Sequence, residues 1–516
     1  MRTMVRLSIN LPKIALFVNL SIPVIALLFG LAGHYISFYF HFLTVFFLLL
    51  AGINYYYRHL QTGHSLLRNF GIIGQLRYLI ESVGPEFRQY LFAGDTEERP
   101  FTRVERAEVY RKAKDVDSSS AFGSLLEFND SEIKLKHSLY PVDKDELIPY
   151  RVTFGEERGI KNAYTITKPF MISAMSFGAL GQNAVRSLAR GARMAGIPMN
   201  TGEGGTPKYH LMEGCDLIFQ MGTAKFGVRN EDSSLDDEKL RDLAAEDKIK
   251  MIEIKFSQGA KPGKGGLLPK EKITPEISAL RHVPLNKDVI SPPHHIECTT
   301  PTTTVQFIKR VQDVSQLPVG IKLCLGREEE FRTLIKEMKK QKVFPDYIDI
   351  DGAEGGTGAA PKSFMDDLGI PLFKALPFAN RVLVEEKVRD KLKLVCSGKL
   401  INPGRQLTAM ALGADAVYTA RGFMLALGCI QALQCNHNTC PVGITTHDPV
   451  LQQGLIIPDK AKRIANYVKN LEHDFIELLS AMGCRSTKDL CPENVYIPRS
   501  ALFTLPSTTQ KRTWKS

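Results

Sequence analysis

From about residue 165 onward the sequence alternates short apolar runs with amphipathic stretches, and this alternation limits the fold more than any other feature. The runs are PFMISAM (169–175), MIEIKF (251–256), VGIKLCL (319–325), YIDIDG (347–352), LKLVCSG (392–398) and DAVYTAR (415–421). Helical patterns over Gln182–Gly196, Glu328–Lys342 and Arg405–Leu412 lie between some of them. Repeated strand–helix units of this length predict a parallel sheet, closed or open. The last two strands end in Ser397–Gly398 and Ala420–Arg421–Gly422. In a (β/α)8 barrel a phosphate site forms after strands 7 and 8, near a helix N-terminus, where backbone N–H groups can surround the anion.

The N-terminus is different in kind. Ile14–Ala32 and Ile36–Asn54 carry no charged residue, and each approaches the ~20 residues that cross a bilayer as helix. The linker GHY is too short for anything but a hairpin turn. Arg2, Arg6 and Lys13 precede the hairpin, Arg58 and Arg68 follow it, and the linker has no Lys or Arg. The positive-inside rule then puts both ends, and the rest of the chain, on the cytoplasmic side of a membrane. A cleaved signal peptide and a buried helical hairpin are the competing readings.

The 516 residues are 44% hydrophobic and 23% charged, which suits a packed globular protein, and the formal net charge is +11. No basic stripe with interleaved aromatics accompanies that excess, so nucleic acid is not expected as a partner. The nine cysteines are odd in number and six are scattered, which is not a disulfide framework. The other three, Cys429, Cys435 and Cys440, are spaced C-x5-C-x4-C before Pro441. Core packing, a disulfide, zinc or an iron–sulfur cluster could each explain them, although the spacing lacks the C-x2–4-C knuckle of structural zinc sites.

Four glycine-rich stretches place small residues beside strand candidates: SAMSFGALGQNA from Ser173, NTGEGG from Asn200, KFSQGAKPGKGGLLP from Lys255 and DGAEGGTGAAP from Asp351. Loops of this kind let a backbone approach a ligand closely, and convergence on one barrel mouth favours a large flat cofactor. Together with ISPPHH (290–295), LGADAVYTARGFMLALGC and CPVG, these motifs resemble the FMN-binding glutamate synthase family over about residues 150–450.

The resemblance implies an α/β fold: a (β/α)8 TIM barrel with FMN at its C-terminal mouth, here preceded by a two-helix transmembrane hairpin and followed by a helical C-terminal extension. It implies that Ser173, Ala174, Met175 and Ser176 lie beside the flavin ring, with Thr201 and Lys322 facing it. Gly355, Gly356, Ser397, Gly398, Lys399, Ala420 and Arg421 would hold ribityl and phosphate. A lysine near the ring stabilises the anionic reduced flavin. Glu203, Lys261 and Arg281 map to the family's substrate residues; the two cations suit a small dicarboxylate such as 2-oxoglutarate, and Glu203 could handle a proton at an imine nitrogen. The cysteine triplet would carry a [3Fe–4S] cluster.

These expectations add up to an FMN- and iron–sulfur-dependent oxidoreductase that aminates 2-oxoglutarate reductively, with electrons from a ferredoxin or a separate donor subunit. The family's glutaminase part is not matched, so ammonia is expected from solution or a partner. Leu267 departs from the pattern, since large glutamate synthases have glutamine after the PGxGG turn. The alternative is a membrane-tethered FMN oxidoreductase acting on another 2-oxo or 2-hydroxy acid and linked to a quinone; a catalytically idle membrane scaffold is a third reading. The expected division is a hairpin over 1–60, a linker or adaptor over 61–150, the barrel with its cysteine loop over 151–450 and the extension over 451–516. Arg99–Lys114 is expected as a solvated surface element. Ile464, Val468, Leu471, Phe475, Leu478 and Met482 recur at helical spacing, which predicts a helix packed on the barrel.

Overall fold

The computed structural model describes residues 11–117, 119–126, 133–205 and 207–497. They fall into two compact units, divided between Thr102 and Arg103.

In the first unit, α1 (Leu11–Tyr35) and α2 (Phe40–Tyr55) form an antiparallel hairpin. Ala15, Ile22 and Ala26 are buried along the α1 seam, and Phe29 stacks on Phe47 at 5.5 Å. Most other apolar side chains of the pair face outward, Phe17 and Leu27 among them. Both helices are long and apolar enough to cross a membrane, over Ala15–Tyr35 and Phe40–Leu60. Arg2 and Arg6 lie outside the described residues. Two asparagines interrupt the apolar seam and take up the chain that returns to the hairpin. Asn54 Oδ1 accepts from Ile72 N at 2.9 Å, and Asn19 Nδ2 donates to Phe70 O at 3.3 Å.

The second unit opens with α3 (Arg103–Lys114). Its charge pattern predicts a solvated element, and here the structure differs: Arg106, Val109, Lys112 and Ala113 are buried. The Lys112 ammonium pairs with Glu108 at 3.2 Å and with Asp474 at 2.5 Å. Long basic side chains can bury their stems when the head finds partners, which a charge count does not reveal.

Eight parallel strands follow and close into a barrel in chain order: β1 (Phe170–Ile172), β2 (Met199–Asn200), β3 (Leu217–Met221), β4 (Ile249–Lys255), β5 (Val319–Leu323), β6 (Tyr347–Asp351), β7 (Lys393–Ser397) and β8 (Ala416–Thr419). Val417 pairs with Phe170, so β8 closes on β1. The alternation of apolar runs reveals six of the eight strands, and β2 and β3 are the additions. An antiparallel hairpin, Val152–Phe154 against Tyr164–Ile166, lies under the barrel. Its Phe154 and Ile166 pack with Met171, Ile218, Met251, Tyr347 and Val395 into an apolar floor. The floor leaves the C-terminal strand ends as the face where a site can open.

On the outside, α4 (Gln182–Ala195), α5 (Pro403–Ala411) and α6 (Arg421–Leu427) pack against α7 (Ile457–Ala481), which also packs on α3. Ile464, Val468, Leu471, Phe475 and Met482 of the expected stripe are buried, and Leu478 is half-buried.

Candidate functional site

The C-terminal ends of the strands carry nearly all the singled-out residues. Ser173, Met175 and Ser176 follow β1 and are buried, with Ala174 half-buried between them. Ser173 N donates to Thr419 O at 3.0 Å, which ties the segment to β8. Thr201 follows β2 and is 1% exposed; its Oγ1 donates to Gly202 O at 3.1 Å.

Inside the barrel, Lys322 on β5 donates to Asp349 Oδ2 at 2.5 Å and to Ser397 Oγ at 3.1 Å. Burial acts to lower the pKa of this ammonium, but Asp349, Asp351 and Glu253 outweigh it and drive it above its ordinary value. Burial beside Glu253 and Asp351 raises Asp349 in spite of Lys322. One ammonium among three carboxylates keeps its proton.

After β7 and β8 three cations gather. Lys399 and Arg421 are held below their ordinary pKa values first by burial; Arg405 repels both, and Arg421 also acts on Lys399. Arg405 sits in the first turn of α5, its guanidinium 5.4 Å from the Phe373 ring, and its buried Nε has no hydrogen-bond partner. Gly356 packs on Arg421: a Cβ there would come within 2.7 Å of Arg421 Nε. Gly355, Gly398 and Ala420 follow the ends of β6, β7 and β8. Clustered half-buried cations beside a helix N-terminus fit a phosphate. The residues present therefore fit a phosphate-bearing cofactor such as FMN. Arg405 escapes sequence reasoning because its charge reaches Lys399 and Arg421 only through the fold.

Across the mouth lies Glu203. Lys255 Nζ is 2.5 Å from Glu203 Oε1. Burial would raise the Glu203 pKa, but Lys255, Lys261 and Arg281 together lower it. Lys261 is 3% exposed and donates to Ala359 O at 2.9 Å. Burial and the neighbouring Lys255 lower its pKa to about 8. Arg281 donates to Phe177 O at 2.7 Å and to Gly204 O at 3.1 Å. Burial lowers it to about 10 against the pull of Glu203. Gly178 has φ +107 and a Cβ there would stand 2.5 Å from Arg281 Nη2, so only glycine lets the guanidinium in. Three cations around one carboxylate leave net positive charge, as a dianionic substrate requires. Lys255 is the member that the mapped set lacks, although it opens the KFSQG motif.

His295 and His447 are backbone pins rather than acids. Their Nε2 atoms donate to Lys255 O at 3.0 Å and Gly178 O at 2.9 Å, and burial lowers both to about 4.

The cysteine loop leaves the end of α6. All nine cysteines are free thiols. Cys429, Cys435 and Cys440 interact electrostatically with one another, and burial raises Cys429 to about 11. Tyr110 Oη of α3 donates to Cys429 O at 2.6 Å. Lys272 Nζ donates to Cys435 O at 3.2 Å. Among the described residues no group of three His, Cys, Asp or Glu side chains is set for a single metal ion.

The chain is similar to known proteins over most of its length. The family model described as "Conserved region in glutamate synthase" matches residues 103–485. The glutamate synthase large subunit-like protein YerD of Bacillus subtilis is 37% identical over 474 residues, 84% of this chain and 90% of that protein. The archaeal glutamate synthase (NADPH) of Methanocaldococcus jannaschii is 36% identical over 322 residues, 62% of this chain and 60% of that protein. Among solved structures, the flavin-binding domain of baker's yeast flavocytochrome b2 aligns with a TM-score of 0.46 at 15% identity, covering 80% of this chain and 84% of that one. The barrel, its charged mouth and these relatives lead to one assignment: the chain belongs to the FMN-binding glutamate synthase family.

Proposed function

We propose that this protein is a membrane-attached oxidoreductase of the glutamate synthase type, acting on the CH–NH2 bond of glutamate in the synthetic direction. The overall change is 2-oxoglutarate, ammonium, two electrons and two protons to glutamate and water. The observation that carries the reading is Glu203 ringed by Lys255, Lys261 and Arg281 at the barrel mouth.

Bound FMN supplies the hydride, and Ser173–Ser176, Thr201, Lys322 and the Lys399–Arg405–Arg421 rim are the residues that would hold it. Lys261 and Arg281 bind and orient the carboxylates of the substrate. Glu203, kept anionic by its three cations, accepts an N–H of the substrate imine and holds it in place. Lys322 keeps positive charge beneath the ring. Cys429, Cys435 and Cys440 are the residues that would hold a [3Fe–4S] cluster, which would supply one-electron transfer from a ferredoxin or separate donor subunit. The α1–α2 hairpin crosses the bilayer, with the barrel on the cytoplasmic side. Leu267 supports a second reading, in which the same flavin site serves another small 2-oxo or 2-hydroxy acid.

The test is the anaerobically purified full chain in detergent. Yellow flavin absorbance, iron with acid-labile sulfide, and glutamate formation from 2-oxoglutarate, ammonium and reduced ferredoxin are expected. Protein without flavin ends the proposal; flavin without glutamate formation favours the second reading. Extraction by alkaline carbonate without detergent would refute the membrane hairpin.

A further inference from the structure

Lys272 has no part in the flavin or substrate chemistry, yet it is one of the most deeply buried lysines of the chain, at 2% exposure. It ends a short turn, Lys270–Lys272, beyond the substrate loop. Its ammonium donates to two backbone carbonyls, those of Ala179 and Cys435. The ionisable groups that interact with it are the thiols of Cys435 and Cys440, the guanidinium of Arg281 and the imidazole of His447. None of these is a carboxylate, and among the described residues no ion pair reaches Lys272. A buried ammonium answered only by carbonyl dipoles is costly unless an anion joins it. The anion that the surroundings offer is the set of cysteine thiolates.

We propose that Lys272 is the built-in counter-cation of the iron–sulfur cluster held by Cys429, Cys435 and Cys440, and that its charge sets the reduction potential of that cluster. The inference rests on the cluster reading given above. Adding one electron makes the cluster more negative, so a fixed positive charge in a dry site favours the reduced form and raises the potential. The same ammonium connects two loops. Ala179 lies just past the flavin-side segment Ser173–Ser176, and Cys435 lies in the cysteine loop. A second bridge runs parallel to it, from His447 Nε2 to Gly178 O. Lys272 is thus a positioning residue whose charge acts on the electron rather than on the substrate.

The experiment uses the full chain, purified anaerobically as wild type, K272R and K272Q. Glutamine can still donate to both carbonyls but carries no charge. Iron and sulfide are assayed, and the cluster is titrated with dithionite under EPR detection. We expect K272Q to lower the potential by at least about 59 mV, a tenfold shift in the one-electron equilibrium, and K272R to stay near wild type. Loss of the cluster from K272Q but not K272R would equally show that the site needs the charge. A full cluster at an unchanged potential in K272Q overturns the proposal, and so does loss from both variants, which would mean that only shape matters. Wild-type protein without iron or sulfide sinks the cluster reading itself, and this inference with it.

Discussion

Lys255 Nζ lies 2.5 Å from Glu203 Oε1, and this ion pair at the barrel mouth helps to keep the carboxylate charged. The first prediction concerns that carboxylate. Replacing Glu203 by glutamine removes the charged acceptor for the substrate N–H and is expected to lower kcat/KM by roughly 10–100-fold, with flavin content unchanged. Steady-state rates and the flavin spectrum check it.

Removing the partner tests the electrostatics. Glu203 has a lowered pKa, so it is ionised at neutral pH and loses its charge only as pH falls. K255M takes away its nearest cation, so the acid limb of kcat/KM should move to higher pH. A pH profile decides this. The variant should also lose stability, but less than the roughly 3–5 kcal/mol of an unpaired buried charge, because Lys261 and Arg281 still face Glu203. Urea unfolding at pH 7 measures that loss. The stability that Glu203 contributes is present above its unfolded pKa and disappears as pH falls through the folded value.

Lys261 titrates at about 8. A dianionic substrate needs the protonated form, so kcat/KM for 2-oxoglutarate should fall as pH rises through about 8. K261R should flatten that limb, since arginine keeps its proton. An unchanged alkaline limb in K261R would assign it to another group.

Arg405 sits in the first turn of α5, with its Nε unpartnered. Charge-assisted hydrogen bonds are worth about 1.5–3 kcal/mol, so R405M should weaken FMN binding by roughly 10–100-fold. Fluorescence titration of deflavinated protein measures the change. Far-UV circular dichroism should stay the same, because among the described residues Arg405 Nε makes no hydrogen bond that supports the fold.

Leu267 pairs with Ile290 in a short antiparallel ladder beside the substrate loop. If 2-oxoglutarate is the substrate, Leu267→Gln should raise kcat/KM for it by about tenfold through one added hydrogen bond. A fall would favour a less polar acid.

The longer strands are legible because short runs dense in apolar residues, such as MIEIKF and VGIKLCL, recur between helical patterns. β2 has only two residues, Met199 and Asn200, and no run of that length stands out from a loop. β3 is fully buried but is followed by the turn-rich stretch before Asp237 rather than an adjoining helix, so no strand–helix unit marks it. The site residues of the resemblance lie where strands end, and Glu203, Lys261 and Arg281 do act on one another. What one dimension hides is pairing at a distance. Lys112 finds Asp474, Tyr110 finds the carbonyl of Cys429, and Lys272 finds that of Cys435. Each of these partners lies more than a hundred residues away, and no local pattern encodes them.

The apolar floor made by Phe154, Ile166 and Tyr347 bears on how this barrel can be shortened. A chain trimmed to its first barrel strand at Phe170 would keep every strand and lose its stopper. Water would then reach Glu253, whose Oε1 accepts from Asn200 Nδ2 and Gln220 Nε2 in the dry interior. The smallest piece able to hold its shape therefore starts upstream of Val152, and trimming from the front is limited by a plug rather than by the strands themselves.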